Sequence, residues 1–265
     1  MKKALRILLI ILIFLTAFLF QQTNTLKTTE YTWQSSRVPR AFDGYRVVQV
    51  SDLHNKRFGK KQERLIKAIK GAEPDMIALT GDIIDESTES LEPARELLEG
   101  MRTLAPLYYT DGNHDPNSPF YRAFRAMLRE YDVTVLDRNV DVIEHDGETM
   151  YIAGYAYWSN KFDNAEIAAS DLILCHGPNA FPFFAEMGCG LVLAGHNHGG
   201  QVALPGGRAV FIPREGFFPG YSYGVYHEGD STMVLSRGLG TSILPLRAFA
   251  PPEIVVIELL CANQK

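Results

Sequence analysis

Short apolar stretches that stop at metal-ligating side chains constrain this sequence more than any other feature. The first is Val47–His54, VVQVSDLH. Its Val-rich start reads as a buried strand, and it stops at Ser51-Asp52-Leu53-His54. In an extended chain, residues two apart project to the same side, so Asp52 and His54 can reach one ion. Four later stretches end in Asp82, in Asn113 with His114, in His176, and in His196 with His198. Five of the seven histidines therefore stand at strand ends. The other two, His145 and His227, read as solvated turn residues. Gly81, Gly112, Gly177 and Gly195 lie beside these ligands and allow the sharp turns at which a ligand leaves its strand.

The segments between these stops set the fold class. Strands are expected at Tyr45–Ser51, Met76–Thr80 and Leu107–Thr110. Helices are expected at Lys60–Ala72, Leu91–Met101 and Phe120–Glu130, each with an apolar stripe among charges. From Thr134 the period shifts towards two, predicting strands at Val133–Leu136, Val140–Glu144 and Met150–Ala153, with a hairpin turn at His145-Asp146-Gly147. Ala165–Ala169 reads as a short helix. Strands follow at Leu172–Cys175, Leu191–Ala194, Gln201–Ala203, Met233–Ser236 and Ile254–Leu259. This order predicts an α/β fold of two mixed sheets packed as a sandwich and flanked by helices, with the site in the loops at the strand ends.

The N-terminus differs from the rest. Lys2, Lys3 and Arg6 precede the apolar run Ile7–Phe20. The run is short against the roughly 20 residues of a full span, but it suits a signal anchor. No small-x-small cleavage site follows, so an uncleaved anchor is expected over residues 1–22. Its basic flank would stay cytoplasmic and the catalytic domain would lie outside the cell membrane. Residues 23–40 read as a polar linker, or a short edge strand at Glu30–Gln34, and 41–265 as the catalytic domain. A net charge of −5 argues against nucleic acid as a partner. The three cysteines, Cys175, Cys189 and Cys261, give no disulfide framework; Cys175 and Cys189 read as small core residues.

Chemistry gives the ligand mix a purpose. Two divalent ions about 3.5–4 Å apart need a shared carboxylate between them. Imidazole and carboxylate suit Mn, Fe and Zn, and one neutral amide oxygen keeps the ligand charge low. In order and spacing, Asp52-Leu-His54, Gly81-Asp82, Gly112-Asn113-His114-Asp115, His176 and Gly195-His196-Asn197-His198 resemble the signature of calcineurin-like metallophosphoesterases. The resemblance implies a first ion on Asp52, His54, Asp82 and His198. It implies a second on Asp82, Asn113, His176 and His196. It makes His114 a general acid or hydrogen-bond donor to the phosphoryl group, with Asp115 orienting it. The implied reaction is hydrolysis of a phosphomonoester or phosphodiester by a hydroxide held between the ions.

The C-terminal part, rich in Gly, Pro and aromatic residues, resembles the membrane-associated or exported bacterial branch of that family, the YkuE and YaeI types. A phosphorylated small molecule or lipid is then the expected substrate. The alternative is a lipid pyrophosphatase of the kind that cleaves UDP-2,3-diacylglucosamine. Arg237 and Arg247 are forked donors suited to a phosphate outside the ions. Phe211, Phe217, Phe218, Tyr221 and Tyr223 either flank a leaving group or pack a small sheet. Trp158 reads as part of an ordinary packed loop.

Overall fold

The computed structural model describes residues 2–157, 170–212, 215–242 and 244–262. The expected helix Ala165–Ala169 and Trp158 lie outside the described residues. In chain order the elements are α1 (Lys2–Asn24), β1 (Lys27–Ser35), β2 (Arg46–Val50), α2 (Glu63–Gly71), β3 (Met76–Leu79), α3 (Glu92–Met101), β4 (Leu107–Tyr109), α4 (Tyr121–Glu130), β5 (Thr134–Val135), β6 (Val140–His145) and β7 (Glu148–Tyr155). They continue as β8 (Leu172–Cys175), α5 (Phe181–Glu186), β9 (Leu191–Ala194), β10 (Phe211–Ile212), β11 (Gly216–Phe217), β12 (Gly224–Glu228), β13 (Ser231–Leu235) and β14 (Glu253–Cys261).

The strands form two six-stranded mixed sheets, ordered β1-β14-β2-β3-β4-β5 and β12-β13-β9-β8-β7-β6, and β10 and β11 make a small hairpin. Side-chain alternation builds the layers. On β2, Val47 faces the second sheet while Val48 and Val50 face the helices. On β8, Leu172 and Leu174 face the first sheet, and Ile173 and Cys175 face outward under Phe181 and Phe184 of α5. Each sheet is thus buried on both faces, which is why its central strands read as nearly continuous apolar runs. Leu65 and Ile69 of α2, Leu97 and Leu98 of α3, and Phe124 and Leu128 of α4 cover the outer face of the first sheet. No disulfide joins the three cysteines, and Cys175 and Cys189 are buried in the core. Burial pushes the Cys175 thiol up to about 12, as befits an inert packing residue.

Two segments depart from the sequence reading. Residues 23–40, expected as a linker with a short edge strand as its alternative, carry the nine-residue strand β1. It pairs in parallel with β14 from Lys27↔Glu253 to Ser35↔Cys261, and Trp33 is buried. The strand expected at Gln201–Ala203 is reduced to isolated bridges, Val202↔Ala248 and Ala203↔Ala209. Gly199, Gly200 and Gln201 all have positive φ there, which turns the chain out of any regular ladder.

The parallel run β2-β3-β4 and the parallel pair β8-β9 deliver their C-terminal ends to one side of the sandwich. Crossovers place the loops after these strands together, and the chemistry-bearing residues sit in those loops.

Candidate metal centre

The loop after β2 brings Asp52 and His54, and the loop after β9 brings His196 and His198. Ligand atoms of Asp52, His54 and His198 lie within 4.8 Å of one another, as do those of Asp82, His176 and His196. The two clusters touch. Asp82 Oδ2 is 3.0 Å from His176 Nε2 and 3.7 Å from His54 Nε2, so it stands between them. Asp52 Oδ1 is 3.5 Å from His198 Nε2 and 4.0 Å from His176 Nε2. Asn113 Oδ1 approaches His176 Nε2 at 3.2 Å. All seven expected ligands are therefore brought together.

The backbone is bent to achieve this. Asp52, His54, Asp82, His196 and His198 all have positive φ, a conformation that L-residues adopt only at a cost. Gly81 is at φ +85, and a Cβ there would meet the Gly112 nitrogen at 2.5 Å. A Cβ on Gly195 would meet Ser51 Oγ at 2.0 Å. Glycine lets these loops pass at contact distance.

Hydrogen bonds fix which atom of each ligand faces inward. His54 Nδ1 lies 3.0 Å from Asp85 Oδ2, and His176 Nδ1 lies 2.7 Å from the Thr80 carbonyl. A carbonyl accepts and never donates, so His176 Nδ1 carries the proton and Nε2 is left as the ligand atom; the Asp85 carboxylate acts the same way on His54. Asp52 accepts from Ser51 Oγ at 2.5 Å and from the His196 amide at 3.0 Å. Asp82 Oδ1 accepts from the His114 amide at 2.7 Å, leaving Oδ2 turned to the imidazoles.

The fit to cations rests on what remains. His54 Nε2 and Asp82 Oδ2 are buried without a hydrogen-bond partner. Lone pairs of a carboxylate and two imidazoles converging in a buried space repel one another unless a cation or a proton lies between them. Burial holds the Asp52 carboxyl above its usual range against the attraction of His176, and repulsion from Asp82 adds to it. At Asp82 burial works in the same direction, but His176 and His54 outweigh it and hold the carboxyl low. Burial resists charge on His176 too, yet Asp82 keeps its proton affinity raised. The donor set of carboxylate, imidazole and amide suits Mn, Fe or Zn.

Three expected roles change. Asp115 does not orient His114. Its buried carboxylate gathers four backbone amides, those of Asp82, Ile83, Ile84 and Gly112, at 2.7–3.1 Å. The tight turn Asp115–Asn117 aims it inward, so it clamps the Asp82 loop. His114 Nδ1 is instead 2.7 Å from Glu86 Oε2, and its ring is partly exposed, 5.2 Å from that of His54. Arg247 does not reach outward for a phosphate. It is fully buried and bonds the carbonyls of Gly240, His198, Ala250 and Arg237, with Nη2 3.4 Å from His198 Nδ1. Arg237 is paired with buried Glu253 and stacks over Tyr223.

Arg247 therefore braces the His198 side of the centre from behind, and Arg237 is engaged by Glu253. His145 packs against Phe42 and Tyr45, and His227 contacts Thr232 across a hairpin, so neither belongs to the centre. Two residues escaped the sequence reading, Asp85 and Glu86. A second acid three residues after Asp82, in Gly-Asp-Ile-Ile-Asp, was the available signal for Asp85.

Comparison with known proteins agrees with this geometry. Residues 45–200 match the family model described as calcineurin-like phosphoesterase. The uncharacterized metallophosphoesterase YkuE of Bacillus subtilis is 30% identical over 257 residues, covering 92% of this chain and 89% of its own. Phosphodiesterase YaeI of Escherichia coli is 25% identical over 225 residues, 82% of each chain. Among solved structures, the sulfate thiohydrolase SoxB of Thermus thermophilus superposes with a TM-score of 0.51 at 12% identity, over 83% of this chain and 57% of that one. That likeness concerns the fold alone.

Proposed function

The chain belongs to the calcineurin-like phosphoesterase family and is a hydrolase, and from that premise we propose that it cleaves phosphate esters at a two-metal centre. One observation carries the proposal: Asp82 Oδ2, without a hydrogen-bond partner, faces Nε2 of both His54 and His176. Asp52, His54, Asp82 and His198 would hold one ion. Asp82, Asn113, His176 and His196 would hold the other. Two bound divalent ions, Mn, Fe or Zn, would supply Lewis acidity and an acidified water at neutral pH.

The protein's own residues do the rest. Asp85 and Thr80 fix the imidazole tautomers, so Nε2 of His54 and of His176 is ready without rearrangement. Asp115 holds the Asp82 loop rigid. His114, braced at Nδ1 by Glu86, presents its other nitrogen to a phosphoryl or leaving-group oxygen and can give it a proton. It lines a cavity of about 200 Å³ with His54, Asp85, Glu86, Ser87 and Ser242.

Helix α1 supports a membrane location. Its 23 residues have a mean hydropathy of 2.5 over the apolar window, and none is buried. We read it as an uncleaved anchor with Lys2, Lys3 and Arg6 on the cytoplasmic side and the catalytic domain outside. The substrate is then a phosphorylated small molecule or lipid. No observation favours the nucleotide-lipid pyrophosphatase, and that alternative is set aside.

The test is an assay of the full chain in detergent with nitrophenyl phosphate and bis-nitrophenyl phosphate, in Mn²⁺, Fe²⁺ and Zn²⁺. Turnover of at least one ester, abolished by chelation, is expected. Tight metal binding with no turnover of either would make the domain a binding module.

A further inference from the structure

Past α1, the exposed large apolar side chains among the described residues are Val142, Tyr151, Val225 and a group of six: Leu204, Phe211, Phe217, Phe218, Leu244 and Phe249. Phe217 is 74% exposed, more than any apolar side chain in α1 itself. The six lie in two loops joined to each other. The Ala203 amide donates to the Ala248 carbonyl at 2.9 Å, and Gln201 Nε2 donates to the Leu244 carbonyl at 2.6 Å. The rings of Phe211 and Phe217 are 5.1 Å apart, and the Phe218 amide donates to the Val210 carbonyl at 3.1 Å.

The same loops grip the end of α1. The Phe249 amide donates to Gln22 Oε1 at 3.1 Å, and the Arg247 amide donates to Thr23 Oγ1 at 2.9 Å. Lys56 Nζ donates to the Thr23 carbonyl at 2.5 Å. The Phe18 and Phe249 rings stand 5.1 Å apart. No stalk separates helix from domain. Phe18 belongs to the apolar run that ends at Phe20, and a helix rises only about 1.5 Å per residue. A ring packed against Phe18 therefore sits at the edge of whatever apolar medium surrounds α1.

We propose that the loops bearing these six side chains form a second contact with the bilayer surface, seating the mouth of the metal centre against the lipid headgroups. The inference rests on α1 being a membrane span and on the centre being a phosphoesterase. Arg208 stacks over Phe218 at 5.1 Å, a cation beside an aromatic ring, as suits headgroup depth. Ser242 rims the cavity that holds His54 and His114, and it lies two residues before Leu244 in one of these loops. A phosphate ester carried on a lipid headgroup can thus approach the centre without leaving the bilayer. Val142 and Tyr151 oppose each other across β6 and β7, at the opposite edge of the second sheet from β12, and serve as a control surface.

The experiment reconstitutes the full chain in phosphatidylcholine–phosphatidylglycerol vesicles containing lipids brominated near the headgroup. Trp emission is compared for Phe217→Trp and Val142→Trp, after subtracting the wild-type signal from Trp33 and Trp158. Phe217→Trp should lose intensity to the bromolipid while Val142→Trp does not; Phe218→Trp replaces it if the first variant fails to fold. Equal quenching at both positions would overturn the contact. So would protection of the Trp by self-association at rising protein concentration, which would assign the patch to a second copy. Quenching reports depth and not turnover. An inactive but quenched protein would therefore sink the phosphoesterase reading alone, and an active, unquenched one the membrane contact alone.

Discussion

The two halves of the candidate metal centre use the same residue types, but different parts of the molecule stand behind them. In the half made by Asp52, His54 and His198, side chains do the bracing. Asp85 holds His54, the Ser51 hydroxyl holds Asp52, and the buried Arg247 backs His198. In the half made by Asp82, His176 and His196, main-chain groups do most of it. The Thr80 carbonyl holds His176, the His114 amide holds Asp82, and Asp115 ties the Asp82 loop through its amides. A half braced by side chains can be loosened by one substitution away from the ligands. A half braced mainly by backbone can be undone at the ligands or at Asp115, whose carboxylate ties the Asp82 loop.

Asp82 is common to both halves, so its loss should have the largest effect. Asp82→Asn is expected to leave no measurable turnover and fewer than two metals per chain by elemental analysis. Full metal content would break the assignment of Asp82 as the bridge. His114 belongs to neither half. His114→Ala should keep both metals and reduce turnover by about 10²–10⁴. Metal lost along with activity would make it a ligand. Asp85→Asn touches only the side-chain-braced half. Affinity for one ion should fall about 10–100-fold while the other is unchanged, by titration with a metal-sensitive dye. Equal weakening at both would erase the distinction.

The smallest effect is in the proton balance. Without metal, burial disfavours the His176 cation, but Asp82 more than compensates and raises its proton affinity. In the other half burial holds His198 well below the usual imidazole range, with His54 and Arg247 adding to the effect. Metal entering the Asp82–His176 half must therefore displace a proton at neutral pH; in the other half burial opposes charge on His54, but Asp85 and Asp82 raise its proton affinity, so His54 and not His198 holds the competing proton. Affinity should rise with pH, since the competing proton leaves as pH rises. Calorimetry in buffers of different ionisation enthalpy would register this proton release, and no release on metal binding would contradict it.

The candidate ligands could be picked out because each closes an apolar strand, and both the strand and its stop are local signals. The layered sheets were legible for the same reason, since fully buried strands read as apolar runs. What escaped was non-local. β1 pairs with β14 from the far end of the chain, and its polar KTTEYTWQS reads locally as a linker or, at most, a short edge strand at Glu30–Gln34. Arg247 in a Pro-rich loop suggests exposure, but carbonyls from three separate turns enclose it. Asp115 beside His114 suggests a pair, yet the turn that begins at Asp115 sends the two side chains apart.

Anomalous diffraction from crystals grown with Mn²⁺ tests the central claim most directly. The account predicts two peaks about 3.5–4 Å apart, one among Asp52, His54 and His198 and one among Asn113, His176 and His196, with Asp82 touching both. A single peak, or two peaks without Asp82 between them, would contradict it.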